Sequence, residues 1–458
     1  MISDWILLLL RIVSSKKLPP TVTARWLFIF TSLIHDGYQY VTGNNRPLDL
    51  FPKTNDTYSV SDMQNWIDTV CNLSYTLVRD KIGSTQDPIN FTSIYLETEL
   101  WDKWKSRAIK YVKDRDDDGW KISSTISGTI PNSGEYIVPT NTGLPSLEDA
   151  TKWTALTVDG KNQSYLTPEW GSVKGVVGDD DFTSLLEMAQ RYYPDSEIWD
   201  KEIKEVYDIS TSLTDKQKTI AEFWAGGPSS VTPPGFWFVF SYAICKSNSL
   251  PISEEIKLYT LLGMAVFQGS ICAWKLKRQN LQARPVQMIR HAGLDESWVP
   301  YQESNFVTPP FPDFVSGHSV FSSVSSRIIY QILQKNQIDL KGTVLDSELL
   351  KLLNPELFAN TDNTVFNLCE IAILPDSSNI ENGVPLSGVS LSWSGLDQMA
   401  EEAGLSRIYG GIHYQSSNRA GLSLGRQLSN ILCEKYKFVL TFNAEREGRN
   451  PGTKFYKI

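Results

Sequence analysis

The chain has 458 residues, of which 41% are hydrophobic and 21% charged, and its formal net charge is −9. This length admits two to three average domains or one large two-lobed domain, and the acidic balance argues against a nucleic-acid-binding role. The five cysteines are scattered and odd in number, which argues against a disulfide framework.

The first ten residues contain a short apolar run from Trp5 to Leu10. Asp4 precedes the run and no small-residue cleavage site follows it, so it fits a first helix better than a signal peptide. No stretch approaches the roughly 18 apolar residues of a membrane span. We therefore expect a soluble protein without a membrane span, with the cytoplasm favoured over other compartments.

Apolar residues at helical spacing predict helices through the first part of the chain. Two helices are expected within residues 5–43, separated at Pro19-Pro20 because proline interrupts a helix. Two more are expected at about 61–82 and 98–112.

An acidic run, Asp114-Arg115-Asp116-Asp117-Asp118-Gly119, follows these helices. Its spacing resembles the start of a calcium-binding loop, but the twelfth position is Thr125, where such loops carry glutamate. The run is therefore either a calcium site that lacks a main ligand or a solvated acidic turn. The residues that follow are rich in Gly, Ser, Thr, Asn and Pro, and they predict a long surface excursion over about 114–180.

Helices resume after this excursion and fill most of the remaining chain. They are predicted at 182–192, 197–210, 215–225, 236–248, 253–283, 316–335, 346–353, 396–404 and 416–436. The helix at 253–283 is apolar on nearly every side, which indicates a buried central helix. Residues 337–395 form an insertion whose two strand-like runs, Glu370 to Leu374 and Val389 to Trp393, predict a small β-hairpin.

The stretch Ser316-Gly317-His318 opens one of these helices and could hold an anion. Ser316 is placed to cap the helix, and the free N–H groups of a helix start attract negative charge. Gly317 would let an anion touch the backbone, and His318 could give or take a proton there.

Two other segments supply cations and a second histidine. Lys277 and Arg284 are seven residues apart, which on one helix places both on one side, and Pro285 should end or kink that helix. Further along, Arg407 and His413 flank a Gly-Gly pair that suggests a sharp turn.

Each of these features also has an ordinary explanation, since a Lys–Arg pair is usually a solvated helix face and a histidine is usually structural. Together, however, they describe a cage with three cations, a hydroxyl, a backbone N–H and two imidazoles. Burying three like charges is costly, so such a cage is expected only around a multiply charged anion.

These segments resemble the three signatures of the type 2 phosphatidic acid phosphatase and vanadium haloperoxidase superfamily. Lys277 followed after six residues by Arg284-Pro285 resembles the first, Ser316-Gly317-His318 the second, and Ser406-Arg407 followed after five residues by His413 the third. The wide gap between the second and third signatures resembles the haloperoxidases rather than the compact phosphatases. Other stretches similar to bacterial-type vanadium-dependent haloperoxidases are 19–25, 221–228, 309–312, 400–405 and 409–414.

The resemblance implies an all-α fold of two four-helix bundles, with the small hairpin in an insertion. The N-terminal bundle would cover residues 1–212 and carry the excursion. The C-terminal bundle would cover residues 213–458 and carry the vanadate site at the base of a channel.

The resemblance also implies a role for each matching residue. His413 would coordinate the vanadium(V) of a vanadate cofactor, and the vanadate oxygens would be held by Lys277, Arg284, Ser316, Gly317 and Arg407. His318 would be the acid–base group that assists hydrogen peroxide, and Lys277 would polarise the peroxide for attack by a halide ion. Trp274 and Phe311 match positions that line the halide pocket, although core packing explains them equally well. The implied partners are hydrogen peroxide, a halide and an organic acceptor, and the chain could form a homo-oligomer.

Two positions depart from the family pattern. The phosphatase form of the third signature has Asp four residues after the histidine, where this chain has Ser417, and related haloperoxidases often have Asp in place of Gly226. Because a nearby acid orients a ligand histidine or arginine, either vanadate binding is weakened or another acid substitutes, with Asp215 and Glu222 as candidates.

Three functions remain open at this stage. The first is a vanadate-dependent haloperoxidase. The second is an acid phosphatase that uses the same cage, with His413 as nucleophile and His318 as the leaving-group acid. The third is a non-catalytic homologue that only binds an oxyanion.

Overall fold

A computed structural model describes residues 2–42, 48, 51, 63–85, 99–120, 150–158, 160–362 and 364–441. Within these residues the protein is mainly α-helical, so the predicted fold class is confirmed. The sections of chain that hold the predicted functional residues all fall inside the described part.

The N-terminal helices lie close to the predicted positions. They are α1 Ile2–Lys16, α2 Pro20–Thr42, α3 Met63–Ile82 and α4 Glu99–Asp114. The predicted break at Pro19-Pro20 is confirmed, and α2 begins with Pro20, where the missing proline N–H costs no hydrogen bond. Nearly every residue of α2 is buried, which makes it a core helix of this part of the chain.

The next helices form a series with short connections. They are α5 Asp179–Gln190, α6 Ser196–Ser210, α7 Asp215–Phe223 and α8 Thr232–Ser247. Asp195 caps α6 by accepting from the Ile198 N–H, and Thr214 forms a capping box with Gln217 at the start of α7. These caps satisfy backbone N–H groups at the starts of α6 and α7.

The central helix α9 spans Ile252–Asn280. It is buried on all sides along most of its length and packs against α2, so the predicted buried central helix is confirmed. It is also long and apolar enough to cross a membrane, which the sequence analysis did not expect. Because its apolar window is completely enclosed by protein, it is a core helix here.

The end of α9 corrects one sequence prediction. The helix stops at Asn280, and Leu281 adopts a left-handed conformation with φ 52°. Arg284 therefore does not share a helix face with Lys277 but precedes the short helix α10, Pro285–His291. The reversed chain at 281–283 is held by backbone hydrogen bonds to Thr151 and Trp153.

The C-terminal helices surround α9. They are α11 Gly317–Asn336, α12 Ser347–Leu353, α13 Leu396–Tyr409, α14 Gln415–Lys435 and α15 Lys437–Thr441. Helix α11 packs against α9, α13 and α14, so the segment that begins at Ser316 lies at the centre of this part of the molecule.

The insertion carries a four-stranded antiparallel sheet in the order β3-β4-β5-β6. Its strands are β3 Val344–Asp346, β4 Val365–Asn367, β5 Glu370–Ile373 and β6 Val389–Ser392. The predicted hairpin is confirmed as β5 and β6, which pair in the register Ile371 with Leu391. A separate two-stranded pair, β1 Thr157–Val158 and β2 Lys161–Asn162, precedes α5.

The described end of the predicted surface excursion is anchored to the core by buried tryptophans, although many of its other residues are exposed. Trp153 and Trp170 are both fully buried, and the Trp170 indole donates to the Ser270 hydroxyl on α9 at 2.9 Å. Large aromatic side chains in this segment therefore anchor it to the core. The middle of the excursion, 121–149, lies outside the described residues.

Two carboxylates of the acidic run after α4 form ion pairs with cationic side chains of the protein. Asp118 is buried and contacts Arg25 at 3.1 Å and Arg115 at 3.4 Å, whereas Asp116 pairs with Lys81 at 2.5 Å. These carboxylates are divided between different partners, and neither a calcium site nor a fully solvated turn describes them. The twelfth loop position, Thr125, lies outside the described residues.

Candidate oxyanion-binding active site

Lys277 is fully buried near the end of α9, where it ties the helix to the loop before α11. Its ammonium donates to the carbonyls of Pro312 and Asp313, both at 2.8 Å. No carboxylate accepts a hydrogen bond from this ammonium, so its charged form depends on the surroundings. The two contacts place the amine of Lys277 beside the start of α11.

Arg284 is fully buried and links three segments. Its Nε donates to the Phe311 carbonyl at 2.9 Å, and its Nη1 donates to the Ile412 carbonyl at 2.6 Å and to Nε2 of His413 at 3.1 Å. Its Nη2 is buried without a hydrogen-bond partner. Because buried donors are nearly always paired, this free donor marks a place for an acceptor.

Arg407 approaches the same region from the end of α13. Its Nη2 donates to the Ala221 carbonyl at 2.6 Å and its Nη1 to the Ala225 carbonyl at 3.4 Å, at the C-terminal end of α7. Its Nε donates to the Ser406 hydroxyl at 2.9 Å. The end of a helix favours a cation, so α7 fixes the orientation of this guanidinium.

The start of α11 has the predicted cap. The Ser316 side chain is buried and accepts from the Ser319 N–H at 3.4 Å. A Cβ added to Gly317 would meet only Phe321 and Trp274, at 3.7 and 3.8 Å, which are ordinary contacts. Protein packing therefore does not require glycine at 317, and the absence of a side chain leaves the backbone open on this side of the helix start.

His318 lies on the first turn of α11 and is partly exposed. Its Nε2 donates to the Trp224 carbonyl at 2.8 Å. Burial, and then the charge of Arg407, lower the pKa of His318 well below its usual value. The imidazole is therefore neutral, with the proton on Nε2 and with Nδ1 able to accept one.

Gly226, the second of the two departures from the family pattern, lies directly beside His318. It has a φ of +60°, and an added Cβ would be 3.2 Å from His318 Nε2 and 3.0 Å from Pro233. An aspartate at this position would be strained and would press on the histidine, so this backbone has no room for it.

His413 follows the predicted sharp turn. Gly411 has a φ of +69°, and a Cβ there would be 3.0 Å from Pro300 and Trp298, so the turn requires glycine. Since Arg284 can only donate, Nε2 of His413 is the acceptor in their contact and the ring proton is on Nδ1. Burial and the nearby cations lower the pKa of His413 well below its usual value, so the ring is neutral with a lone pair on Nε2.

Asp313 is the acid that the sequence analysis missed. It is fully buried, its Oδ1 lies 2.8 Å from Nδ1 of His413, and its Oδ2 accepts from the Ser417 hydroxyl. Neither suggested substitute contacts the site histidines: Glu222 accepts from Tyr301 at 2.7 Å and from Ser378 at 2.6 Å. Asp215, the other suggestion, accepts from the Leu386 N–H on the surface. In the sequence, Asp313 stands three residues before Ser316, and no local pattern marks it as a partner of His413.

The electrostatics of the site favour a bound anion. Burial, and then Arg284, lower the pKa of Lys277 well below its usual value. Burial also lowers the pKa of Arg284 to about 10 and that of Arg407 to about 9, so both remain charged at neutral pH. The one enclosed carboxylate, Asp313, has a pKa raised to about 6 by its burial. Two charged guanidinium groups and the Lys277 amine therefore lie around one carboxylate, and a multiply charged oxyanion would fit this set and favour the charged form of Lys277.

The same residues do not suit a simple metal cation. Among the described residues, no group of three or more His, Cys, Asp or Glu side chains could hold one. A metal could enter the site as the centre of an oxyanion, with the oxygens facing the cations and the lone pair of His413 Nε2 facing the metal.

Trp274 and Phe311 both lie against Lys277. Their ring centroids are 5.0 Å apart, and Lys277 Nζ is 5.9 Å from the first and 5.1 Å from the second. Trp274 is fully buried, and its indole N–H donates to the Leu166 carbonyl at 3.0 Å. Phe311 and His318 are partly exposed, whereas Lys277, Arg284 and Arg407 are buried. Solvent therefore reaches the site from the side of Phe311 and His318.

The structure thus brings every sequence-predicted site residue to one place. We call this set the anion pocket; it comprises Lys277, Arg284, Ser316, Gly317, His318, Arg407 and His413, with Trp274, Phe311 and Asp313 around it.

Comparisons with known proteins fit this description. Residues 257–441 match the family model of the VCPO second helical-bundle domain. Among solved structures, a bacterial vanadium-dependent iodoperoxidase is 18% identical with a TM-score of 0.62, covering 94% of this chain and 95% of that one. A bacterial vanadium-dependent chloroperoxidase is similar in its apo form at 14% identity and a TM-score of 0.63, covering 92% of this chain and 96% of that one. Its holo form gives 15% identity and a TM-score of 0.62, with coverage of 92% and 93%. The search of curated proteins found no match.

Proposed function

This chain has the fold of the vanadium haloperoxidase superfamily, and residues 257–441 match its VCPO second helical-bundle domain; on this premise we propose that it is a vanadate-dependent haloperoxidase. The reaction would oxidise a halide ion with hydrogen peroxide to hypohalous acid, which then halogenates an organic acceptor.

One observation carries this proposal. Lys277, Arg284 and Arg407 are all buried around a neutral imidazole, and Asp313 is the carboxylate that lies against this imidazole. Burying a charge without a partner costs several kcal/mol. A protein that buries two guanidinium groups and a lysine in one pocket is expected to recover this cost by binding an oxyanion there, and the free Nη2 donor of Arg284 supports that expectation.

The residues would divide the work in the following way. His413 would hold the vanadium through Nε2, and the three cations would neutralise the vanadate oxygens. Ser316 and the Gly317 N–H would donate hydrogen bonds at the helix start. Vanadate, when bound, would supply Lewis-acid activation of peroxide without a change of oxidation state. His318, held through Nε2 by the Trp224 carbonyl, would accept a peroxide proton on Nδ1.

The aromatic side of the pocket supports a halide as the second substrate. Trp274 and Phe311 enclose Lys277 between two rings, so an anion that approaches Lys277 would be partly desolvated. A fixed ammonium in such a place stabilises charge better than it could in water. Lys277 would therefore guide the halide toward the peroxide. It would also stabilise the negative charge that develops on the second peroxide oxygen when the O–O bond breaks.

An acid phosphatase is the second candidate, and one observation favours it. The lone pair on His413 Nε2 points into a pocket of guanidinium donors, which is also what a histidine nucleophile requires to attack phosphorus. His318 would then protonate the leaving group.

The test compares the two activities on one preparation. Purified protein is loaded with orthovanadate, dialysed and assayed for vanadium, and halogenation of a phenolic dye is then measured with peroxide and chloride, bromide or iodide. Vanadate-dependent halogenation supports the proposal, and its absence with every halide overturns it. Phosphate release from an aryl ester, inhibited by vanadate, would support the phosphatase, and binding without either activity would support a non-catalytic homologue.

A matched pair of variants separates the pocket from the surrounding helix. Lys277→Gln removes the buried ammonium, so we expect halogenation to fall about a hundredfold or more, as for the loss of one transition-state donor. Lys275→Gln alters a partly exposed lysine on the same helix and should leave the rate unchanged.

A further inference from the structure

The side chains of Asp313 and Ser417 form a buried pair behind His413. Ser417 donates from its hydroxyl to Asp313 Oδ2, and the Ser417 carbonyl accepts from the Ser316 N–H at 3.1 Å. The Asp313 backbone is fixed as well, because its N–H donates to the Gln282 carbonyl at 2.9 Å and its carbonyl accepts from Lys277. The carboxylate thus has little freedom to move.

The other oxygen of Asp313 faces the protonated side of His413. Nδ1 carries the ring proton, as its contact with Arg284 requires, and it lies 2.8 Å from Asp313 Oδ1. The distance between Nδ1 and Oδ1 suits a hydrogen bond, but the angle at the ring proton does not. A small rotation of the imidazole would align the two atoms. When an oxyanion draws Arg284 away from Nε2, Asp313 is the group that still holds the ring.

We propose that Asp313 is the positioning residue for His413. Compared with the phosphatase signature, the carboxylate and the neutral side chain that holds it stand in exchanged positions of this chain. In the related phosphatase signature the acid stands four residues after the histidine, where this chain has Ser417. Here the acid comes from the loop before α11, and Ser417 holds it. This inference rests on the proposed oxyanion-binding function of the pocket.

The exchange accounts for serine at 417. An aspartate there would contact the Asp313 carboxylate inside the protein, and two buried carboxylates in contact cannot both be ionised. Only one of the two positions can therefore carry the acid, and the partner position must carry a neutral donor.

Charge and positioning predict opposite effects when Asp313 is neutralised. Asp313→Asn removes a negative charge from a pocket that binds anions, so charge alone would tighten the binding of an oxyanion. A positioning role predicts weaker binding, because the neutral amide holds the ligand histidine less firmly. The sign of the change in affinity thus separates the two explanations.

The experiment measures binding of orthovanadate, and separately of inorganic phosphate, by titration calorimetry on the full chain. Asp313→Asn and Ser417→Asp should each weaken vanadate binding about tenfold to a hundredfold, the usual cost of losing the group that orients a metal ligand. The double variant Asp313→Ser/Ser417→Asp restores one acid and one hydroxyl in exchanged places and should recover most of the affinity. Asp208→Asn, on an exposed ion pair of α6, is the matched control and should bind like the parent.

The possible outcomes are distinguishable. If the parent binds neither anion, the proposed function fails. If the parent binds and Asp313→Asn binds as well or better, only the positioning role fails, and failure of the exchanged double variant to recover affinity overturns the exchange.

A second measurement reads the inference from the parent protein and uses a variant only to assign one signal. The chain has four histidines, so the ring nitrogens can be observed by 15N NMR of histidine-labelled protein, with His413 identified by its absence in His413→Ala. A proton on Nδ1 of His413 in the vanadate-loaded parent supports the inference. A proton on Nε2 overturns it.

Discussion

Lys277 shows how the pocket keeps positive charge away from water. Its ammonium has two backbone carbonyls as partners but no carboxylate in direct contact. Burial therefore favours the neutral amine and lowers the pKa of Lys277. A bound oxyanion would oppose this shift, so ligand binding and the charge of Lys277 should support each other.

Substitution of the two histidines of the pocket should have different effects on vanadate binding and on turnover. His413→Ala removes the proposed metal ligand, so vanadate should no longer be retained and halogenation should be lost. His318→Ala removes only a proton acceptor, so vanadate should still bind while turnover falls about 10²- to 10⁴-fold, the usual contribution of general acid–base catalysis. Vanadium retained after dialysis and the rate of dye halogenation measure the two effects separately.

His291→Ala is the control, since His291 lies at the end of α10 outside the pocket. It should match the parent in both measurements. If His318→Ala turns over peroxide at the parental rate, His318 does not have the role assigned to it.

At the residue scale, sequence spacing found the side chains that carry the chemistry but not the one that orients them. Lys277, Arg284, His318 and His413 stand in short, recognisable patterns. Asp313 acts on a histidine one hundred positions away, and no local pattern marks such a pair. The contact exists only because the loop before α11 and the start of α14 are brought together by folding.

Two helices approach each other closely behind the pocket. A Cβ on Gly421 of α14 would be 2.7 Å from the Ser316 carbonyl, and one on Gly425 would be 2.7 Å from the Val324 backbone nitrogen. Backbones can pack this closely only without side chains. The two glycines therefore let α14 lie directly against α11.

Alanine at Gly421 should therefore damage the pocket as well as the packing. The new methyl group must push α14 away from the start of α11, at a cost of about 1–3 kcal/mol in unfolding free energy. Because Ser316 and Gly317 would move with it, we expect vanadate affinity to fall about tenfold. Thermal unfolding and calorimetric titration would measure the two quantities.

Gly425→Ala provides the comparison one helical turn further along. It faces a similarly tight contact, so its loss of stability should be of the same order, but it lies further from Ser316 and vanadate affinity should change much less. Equal losses of affinity in the two variants would contradict the proposed dependence of the pocket on the position of Ser316.

At the element scale, helix periodicity and proline positions predicted most helices to within a few residues. The end of α9 was missed because the reversal depends on Leu281, and nothing about leucine signals a left-handed conformation. The sheet was only half predicted for a related reason, since β3 and β4 have three residues each and such short runs carry no clear alternation.

The whole molecule has a main apolar core that runs through both halves of the sequence. It includes Trp5 of α1, Phe267 of α9 and Leu428 of α14 in one contiguous cluster. The division into bundles at 212/213 remains our proposal. A shared core of this kind is expected to make the two parts unfold together.

Anion binding should therefore stabilise the entire molecule in one step. At a hundred times the dissociation constant, a ligand specific for the folded state adds about 2.7 kcal/mol. For a chain of 458 residues this corresponds to a rise in Tm of about 3 °C. Differential scanning calorimetry with orthovanadate, against sodium chloride of equal ionic strength, measures the shift.

His413→Ala should show no such shift in Tm, since the proposed metal ligand is gone. A single transition that moves as a whole is the expected result; an equal shift in sodium chloride, or two transitions of which only one moves, would contradict it.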